Sequence, residues 1–146
     1  MASTLPSEDV RSVLVAAGAA SATPGAQWAL HIGHLPKSPD EVIAISDTGG
    51  LSPNPKWLLD YPVVQVLVRG KLNGYQSART RALRIKDELL GITSLDVNGN
   101  RLVSVTMNGD IAFIGVDQNE RPMFSMNFRL IIQPSASADT NRQPLV

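Results

Sequence analysis

Asp47-Thr48-Gly49-Gly50 follows the apolar stretch Val42-Ile-Ala-Ile-Ser46 and is where residue types best fit a reaction. Asp-Thr-Gly after a strand is the unit of aspartic proteases, in which two such loops meet and their carboxylates share a proton and activate water. A chain of 146 residues would supply one loop per subunit of a dimer. Two positions depart from that pattern: Ser46 stands where an apolar residue is wanted, and Gly50 replaces alanine or serine. Phe113-Ile114-Gly115 is the one stretch available to buttress the loop. The competing reading is a glycine-rich turn in which Asp47 and Thr48 bond local backbone.

His31-x-x-His34, with Asp40 and Glu41 nearby, has the residue types of a metal site. On a strand, however, residues three apart point to opposite faces, so the pair reads as rim histidines, and no cofactor or metal is expected. A Gly-x-Ser-x-Gly elbow, a P-loop and a dinucleotide fingerprint are all missing. Arg69, Lys71, Arg79, Arg81, Arg84 and Lys86 form a basic series without an acid until Asp87. Such a series is ordinarily a solvated helix face. The sharper alternative is a surface that meets an acidic neighbour or passing DNA. Leu83 and Leu90, a heptad apart and off the main apolar stripe, would suit a subunit contact. No aromatic residues are interleaved with the cations, which argues against recognition of bases.

The elements that must position these residues centre on Tyr61–Ile92. Val64, Val66 and Val68 share one strand face, while Val63, Gln65, Leu67 and Arg69 take the other. Asn73-Gly74 breaks the run, and Ala78, Ala82, Ile85 and Leu89 then recur at helical spacing below Tyr75. This predicts a strand feeding a helix that lies on the Val64/Val66/Val68 face, with Gly91 as a left-handed cap. Upstream, Ser7 is expected to cap a helix carrying Glu8 and Asp9 in its first turn, ending at Gly18. Strands are expected over 27–35 and 42–46, and the segment 47–60 reads as a long functional loop bearing an exposed Trp57.

Downstream of the central helix the pattern becomes all strand. Asn98-Gly99 and Asn108-Gly109-Asp110 read as hairpin turns flanking Leu102–Met107, with 111–116 pairing back across the second. Met123 to Gln133 alternates cleanly as a long final strand. The fold expected is α/β (α+β): a mixed, largely antiparallel sheet with two helices on one face. Residues 1–133 form one domain and 134–146 a polar, flexible tail. The strands exceed what two helices can cover, so the open sheet face or an edge must be polar or shielded by another subunit.

Composition narrows the classes further. Lysine plus arginine and aspartate plus glutamate number 13 each, so no global field draws in nucleic acid or acidic lipid. The absence of cysteine removes disulfides, thiol catalysis and thiolate zinc sites. No apolar run approaches the ~18 residues of a membrane span, and the first residues lack the pattern of a signal peptide. The expectation is a soluble intracellular domain.

Four strings in order carry a resemblance: Trp28-Ala-Leu-His-Ile-Gly-His-Leu-Pro36, Pro39-Asp-Glu-Val-Ile-Ala-Ile-Ser-Asp-Thr-Gly-Gly50, Tyr61-Pro-Val-Val-Gln-Val-Leu-Val-Arg69 and Ala82-Leu-Arg-Ile-Lys-Asp-Glu-Leu-Leu-Gly91. Together they resemble the minor capsid or tail-terminator proteins of tailed bacteriophages, from Trp28 to Ile132. The resemblance implies a non-enzymatic virion protein at the neck. Its members form a ring, typically a hexamer, that caps the last ring of tail-tube protein and docks to the head connector around the channel for genomic DNA. A head-completion role elsewhere in the neck is the alternative within that class. The family fixes no interface by motif. From the residues themselves, the contact positions expected are Asp47, Thr48, Trp57, Leu58 and Leu59 of the loop, Arg69, Lys71, Arg81, Leu83 and Arg84 of the basic face, and the tail, which would fold on binding.

Overall fold

In a computed structural model, the structure describes residues 4–56 and 58–134. Trp57 and residues 135–146, expected to be an exposed loop residue and a flexible tail, lie outside the described residues.

The first helix, α1 (Pro6–Ala16), starts one residue before the expected cap. Pro6 occupies the first turn, where its fixed φ suits the helix and its missing N–H costs nothing. The Glu8 carboxylate accepts the Leu5 N–H at 2.8 Å. Ser7 is therefore inside the helix, and its polar groups are turned elsewhere. Beyond Gly18 (φ 75°), the N–H groups of Ala19 and Ala20 return to the Leu14 carbonyl. Strand β1 (Ala29–Ile32) is shorter than expected, being bracketed by left-handed Trp28 and Gly33.

The largest departure from expectation is β2 (Val42–Asn54), which continues through the predicted loop and pairs antiparallel with β3 (Leu59–Arg69). Within the segment, residues 47–54 and 59–60 thus belong to a two-stranded arm. Pairing runs from Asp47↔Val64 to Gly50↔Pro62 across a bulge, then shifts again before Asn54↔Leu59. Only glycine fits at Gly50: φ is 135°, and a Cβ there would collide with the Tyr61 carbonyl. Glycine and proline conceal this strand in the sequence because the bulge breaks side-chain alternation while backbone pairing persists.

From β3 the chain turns through Gly70–Gly74 into α2 (Tyr75–Leu90). Ala78, Ala82, Ile85 and Leu89 are its buried face, and Val64, Val66 and Val68 beneath the helices are fully buried. Gly91 ends α2 in a right-handed conformation (φ −76°) in place of the expected left-handed cap. Its N–H reaches the Asp87 carbonyl, which continues the helical pattern by one bond.

Strands β4 (Leu95–Val97) and β5 (Asn100–Met107) form a hairpin across Asn98-Gly99, both with positive φ as a tight I′ turn requires. The next turn does not make a hairpin. Both β5 and β6 (Ala112–Val116) pair antiparallel with β7 (Pro122–Gln133), β5 with its C-terminal part and β6 with its N-terminal part. The Asn108 N–H bonds the Asn127 carbonyl at 2.9 Å, so Asn108-Gly109-Asp110 is a kink in one interrupted strand running along β7.

The seven-stranded sheet has the order β1-β2-β3-β7-β5-β4, with β6 on β7. Only β1–β2 is parallel among its pairs, so the sheet is mixed and largely antiparallel, with two helices: an α+β fold. Val10 and Leu14 of α1 share one core with the buried face of α2, Ile43, Ile45 and the alternating Phe124, Met126, Phe128, Leu130 and Ile132 of β7. Burying each large side chain there contributes about 1.5–3 kcal/mol. On the opposite face Gln65 donates to Ser125 Oγ at 3.2 Å, beside partly exposed Asn127 and exposed Arg129. Half-buried Val63, Leu67, Met123 and Ile131 share that face, which is therefore mixed in polarity and not the wholly polar surface that was one of the two outcomes expected.

Candidate assembly surfaces

The Asp-Thr-Gly-Gly stretch is built into the sheet. Asp47 accepts the Ser7 N–H at 3.0 Å on one carboxylate oxygen and the Ser7 hydroxyl at 2.6 Å on the other. The anion thereby sits at the positive end of α1 and fastens that helix to β2. These partners lie 40 residues away, not in the local backbone expected for a turn. Thr48 Oγ1 donates to the Val63 carbonyl at 3.0 Å, across the bulge. A second polar tie holds the other side of α1. Buried Asp9 accepts from Thr4 Oγ1 (2.7 Å), Asn98 Nδ2 (3.0 Å) and Asn100 Nδ2 (3.2 Å), joining α1 to the β4–β5 hairpin.

The two histidines are not kept apart by strand geometry. Gly33 (φ 82°) turns the chain after β1, and the rings of His31 and His34 meet edge-on at 5.0 Å. Burial, reinforced by His34 and Arg11, lowers the His31 pKa below its ordinary value. Among the described residues no three His, Cys, Asp or Glu side chains are grouped to hold a metal ion.

The basic series does not form one surface, and Lys86 is paired with Asp110 at 2.9 Å. Arg69 is buried, its Nε donating to the Asp40 carbonyl at 3.0 Å and another nitrogen to the Pro39 carbonyl at 2.7 Å. Burial, with Arg121 nearby, lowers its pKa. It is an internal strut, so the expectation that it lies on an exposed basic face does not describe its position. Arg81 and Arg84 reach across to the end of α1, donating to the Ala19 and Ala17 carbonyls at 3.0 Å each. The last turn of α1 carries no cation of its own, and α2 supplies one there. Arg81 also lies 5.2 Å from the Trp28 ring centre, a cation–π contact. Burial is the main cause of its lowered pKa, followed by Arg84. Lys71 is exposed at the turn before α2.

Sequence reasoning missed Arg121, also buried. It donates to Asp117 Oδ2 (2.8 Å), Asp40 Oδ1 (3.1 Å) and the Lys37 carbonyl (2.6 Å), so with Arg69 it clamps residues 37–40 against the β6–β7 turn. Burial pushes the Asp117 carboxyl up, but bonds from Arg121 and from the Asn119 N–H outweigh it and hold it below the ordinary value.

Outward-facing apolar residues complete the picture. Leu83 and Leu90 on α2 are exposed, as the heptad spacing predicts. Leu58 is buried and Leu59 half-buried, so neither occupies an open loop. On the arm Leu51 is 74% exposed. The densest group is on β6, where Phe113, Ile114 and Val116 are 49%, 52% and 59% exposed. Phe113 stacks on Tyr75 (5.2 Å) and Phe124 (5.4 Å), which links the patch to α2 and the core. The adjacent Phe113-Ile114 pair was the available signal: a strand covered on one face should not need two consecutive large apolar residues.

Exposed apolar side chains on an open strand edge are the feature that aggregation-resistant monomers avoid. Residues 6–134 match the family model described as "Bacteriophage tail terminator protein", and the chain belongs to that family. It is therefore a phage tail structural protein, a class of virion component and not an enzyme class. No curated protein matches the chain. Among the described residues no helix is long and apolar enough to cross a membrane.

Proposed function

We propose that the chain ends tail-tube growth by closing into a ring, expected to be a hexamer, that seats on the tube and docks to the head connector. The observation that carries this reading is the β6 patch. An edge strand has backbone donors and acceptors on its free side, and an apolar edge left open invites other chains. Phe113, Ile114 and Val116 therefore form the natural centre of a subunit contact, with Tyr75 at its margin. The β2–β3 arm lies at another part of the sheet and offers an unlike surface, as a head-to-tail ring contact requires. Lys71 and the Leu83/Leu90 face supply further contacts, and genomic DNA passes through the ring without base-specific recognition. No cofactor takes part.

Light scattering of the purified chain, alone and mixed with tail-tube subunits, tests the proposal. A closed oligomer that binds tube ends, and that Ile114→Asp reduces to monomers, is the expected result. A strict monomer indifferent to tube subunits would count against it, as would virions with tails of normal length when the chain is absent.

A further inference from the structure

Asparagine followed by glycine occurs three times, at Asn73-Gly74, Asn98-Gly99 and Asn108-Gly109. Because glycine has no Cβ, its backbone nitrogen can approach the preceding asparagine's side-chain carbonyl, and such a pair readily cyclises with loss of the amide. The fold treats the three pairs differently. At Asn98 the leaving nitrogen is held: Nδ2 donates to Asp9 Oδ1 at 3.0 Å and to Ser12 Oγ at 3.1 Å, which turns the side chain toward α1. At Asn73 the attacking nitrogen is held, since Gly74 is buried and its N–H donates to the Lys71 carbonyl at 2.8 Å. At Asn108 neither is held. Both residues of that pair are exposed, and among the described residues no acceptor takes the Asn108 Nδ2 or Gly109 N–H groups. A Cβ at Gly109 would meet nothing within 4 Å, so the nitrogen stands in open space. The bond the Asn108 side chain does make favours attack. An Arg129 guanidinium nitrogen donates to Asn108 Oδ1 at 3.3 Å and draws electron density from the carbon.

We propose that Asn108 is a site of self-modification, with Arg129 assisting. The Gly109 nitrogen bonds to Asn108 Cγ, the Cγ–Nδ2 bond breaks, and ammonia leaves with the proton that the attacking nitrogen gives up. Negative charge gathering on Oδ1 during the attack faces Arg129. Water then opens the cyclic imide at either carbonyl and leaves aspartate or isoaspartate at position 108. The isoaspartate form routes the main chain through the former side chain and adds one carbon to it. That extra length falls between two fixed points. On one side the Asn108 N–H bonds the Asn127 carbonyl at 2.9 Å; on the other the Asp110 carboxylate holds Lys86 at 2.9 Å and the Ile111 N–H at 2.7 Å. The kink between β5 and β6 must then bulge or release one of them. The inference concerns one subunit and stands whatever that subunit assembles with.

The test ages the full chain at neutral pH, folded and in urea, and follows each Asn-Gly pair by peptide mass spectrometry with separation of isoaspartyl forms. In the folded chain Asn108 should convert about tenfold faster than Asn73 or Asn98, the factor that one hydrogen bond to be broken supplies. In urea, where the fold no longer distinguishes the pairs, that preference should vanish. Arg129→Leu, an exposed change, should slow conversion of the folded chain about threefold, and Arg129→Lys should restore most of the rate. Conversion of Asn73 or Asn98 as fast as Asn108 in the folded chain would overturn the proposal. So would an Asn108 that does not convert, or an equal preference in urea. An unchanged or faster rate in Arg129→Leu would also overturn it, by showing that the bond only restrains the side chain.

Discussion

β5 and β6 lie on the same edge of β7 and are separated only by the kink at Asn108-Gly109-Asp110, yet their surroundings differ. β5 buries Leu102 and Val105 in the core and has β4 as an outer neighbour; β6 leaves Phe113, Ile114 and Val116 exposed and has β7 as its one strand partner among the described residues. The same residue chemistry therefore stabilises the fold in one half of the edge and is available for association in the other. Apolar content alone does not distinguish the two halves. The sheet's pairing does.

The strongest way to break that contrast is on the β5 side. Leu102→Ala should remove about 2–5 kcal/mol of stability through lost burial and a residual cavity, read as a lower midpoint in urea denaturation. Arg121, in the turn that returns β6 to β7, comes next. Arg121→Ala should cost about 2 kcal/mol, because Asp117 and the Lys37 carbonyl lose their buried donor. That is less than for a fully buried ion pair, since Asp40 is largely exposed. Asp47→Ala should cost about 1 kcal/mol by releasing the start of α1, seen as faster amide exchange in its first turn. Val116→Glu, on the β6 side, should change stability by no more than about 0.5 kcal/mol while abolishing self-association in light scattering. An unfolded Val116→Glu protein would mean that the patch belongs to the core after all.

The smallest effect is a pH dependence at the opposite edge of the sheet, on β1. The His31 pKa is lowered in the folded protein, so the unfolded chain takes up that proton first as pH falls. Stability should therefore be complete above about pH 6.5 and decline as pH falls from there through the folded pKa. His31→Phe should flatten the corresponding slope in melting temperature against pH.

Much of the fold was legible because its signals are periodic. The buried face of α2 and the alternation of Phe124 to Ile132 follow from 3.6-residue and two-residue spacing, and Asn98-Gly99 marks its own turn. What was hidden depends on partners distant in the chain. Asp47 binds Ser7, a contact no local pattern encodes, and the Asn108-Gly109-Asp110 signal cannot reveal that β7 is long enough to pair on both sides of it. Arg69 reads as surface charge and Arg121 gives no signal at all, since arginine is rarely buried unless paired. Their burial follows from carbonyls in a segment that approaches only once the sheet is formed. Similarly, the glycines and prolines of the arm are loop-like although its backbone is paired, and the outward group on β6 is visible only once β7, not β5, is known to be its neighbour.

Gly50 carries a consequence for how the arm is aimed. The arm continues the sheet's own hydrogen-bond ladder across a bulge that tolerates no Cβ, so its pitch is set by the backbone and not by a swivelling joint. A methyl group added at that position would run into the backbone of Tyr61 and Pro62, so the two strands of the arm would have to give way to each other. A single missing carbon is thus what lets the arm lie flush with the sheet it grows from.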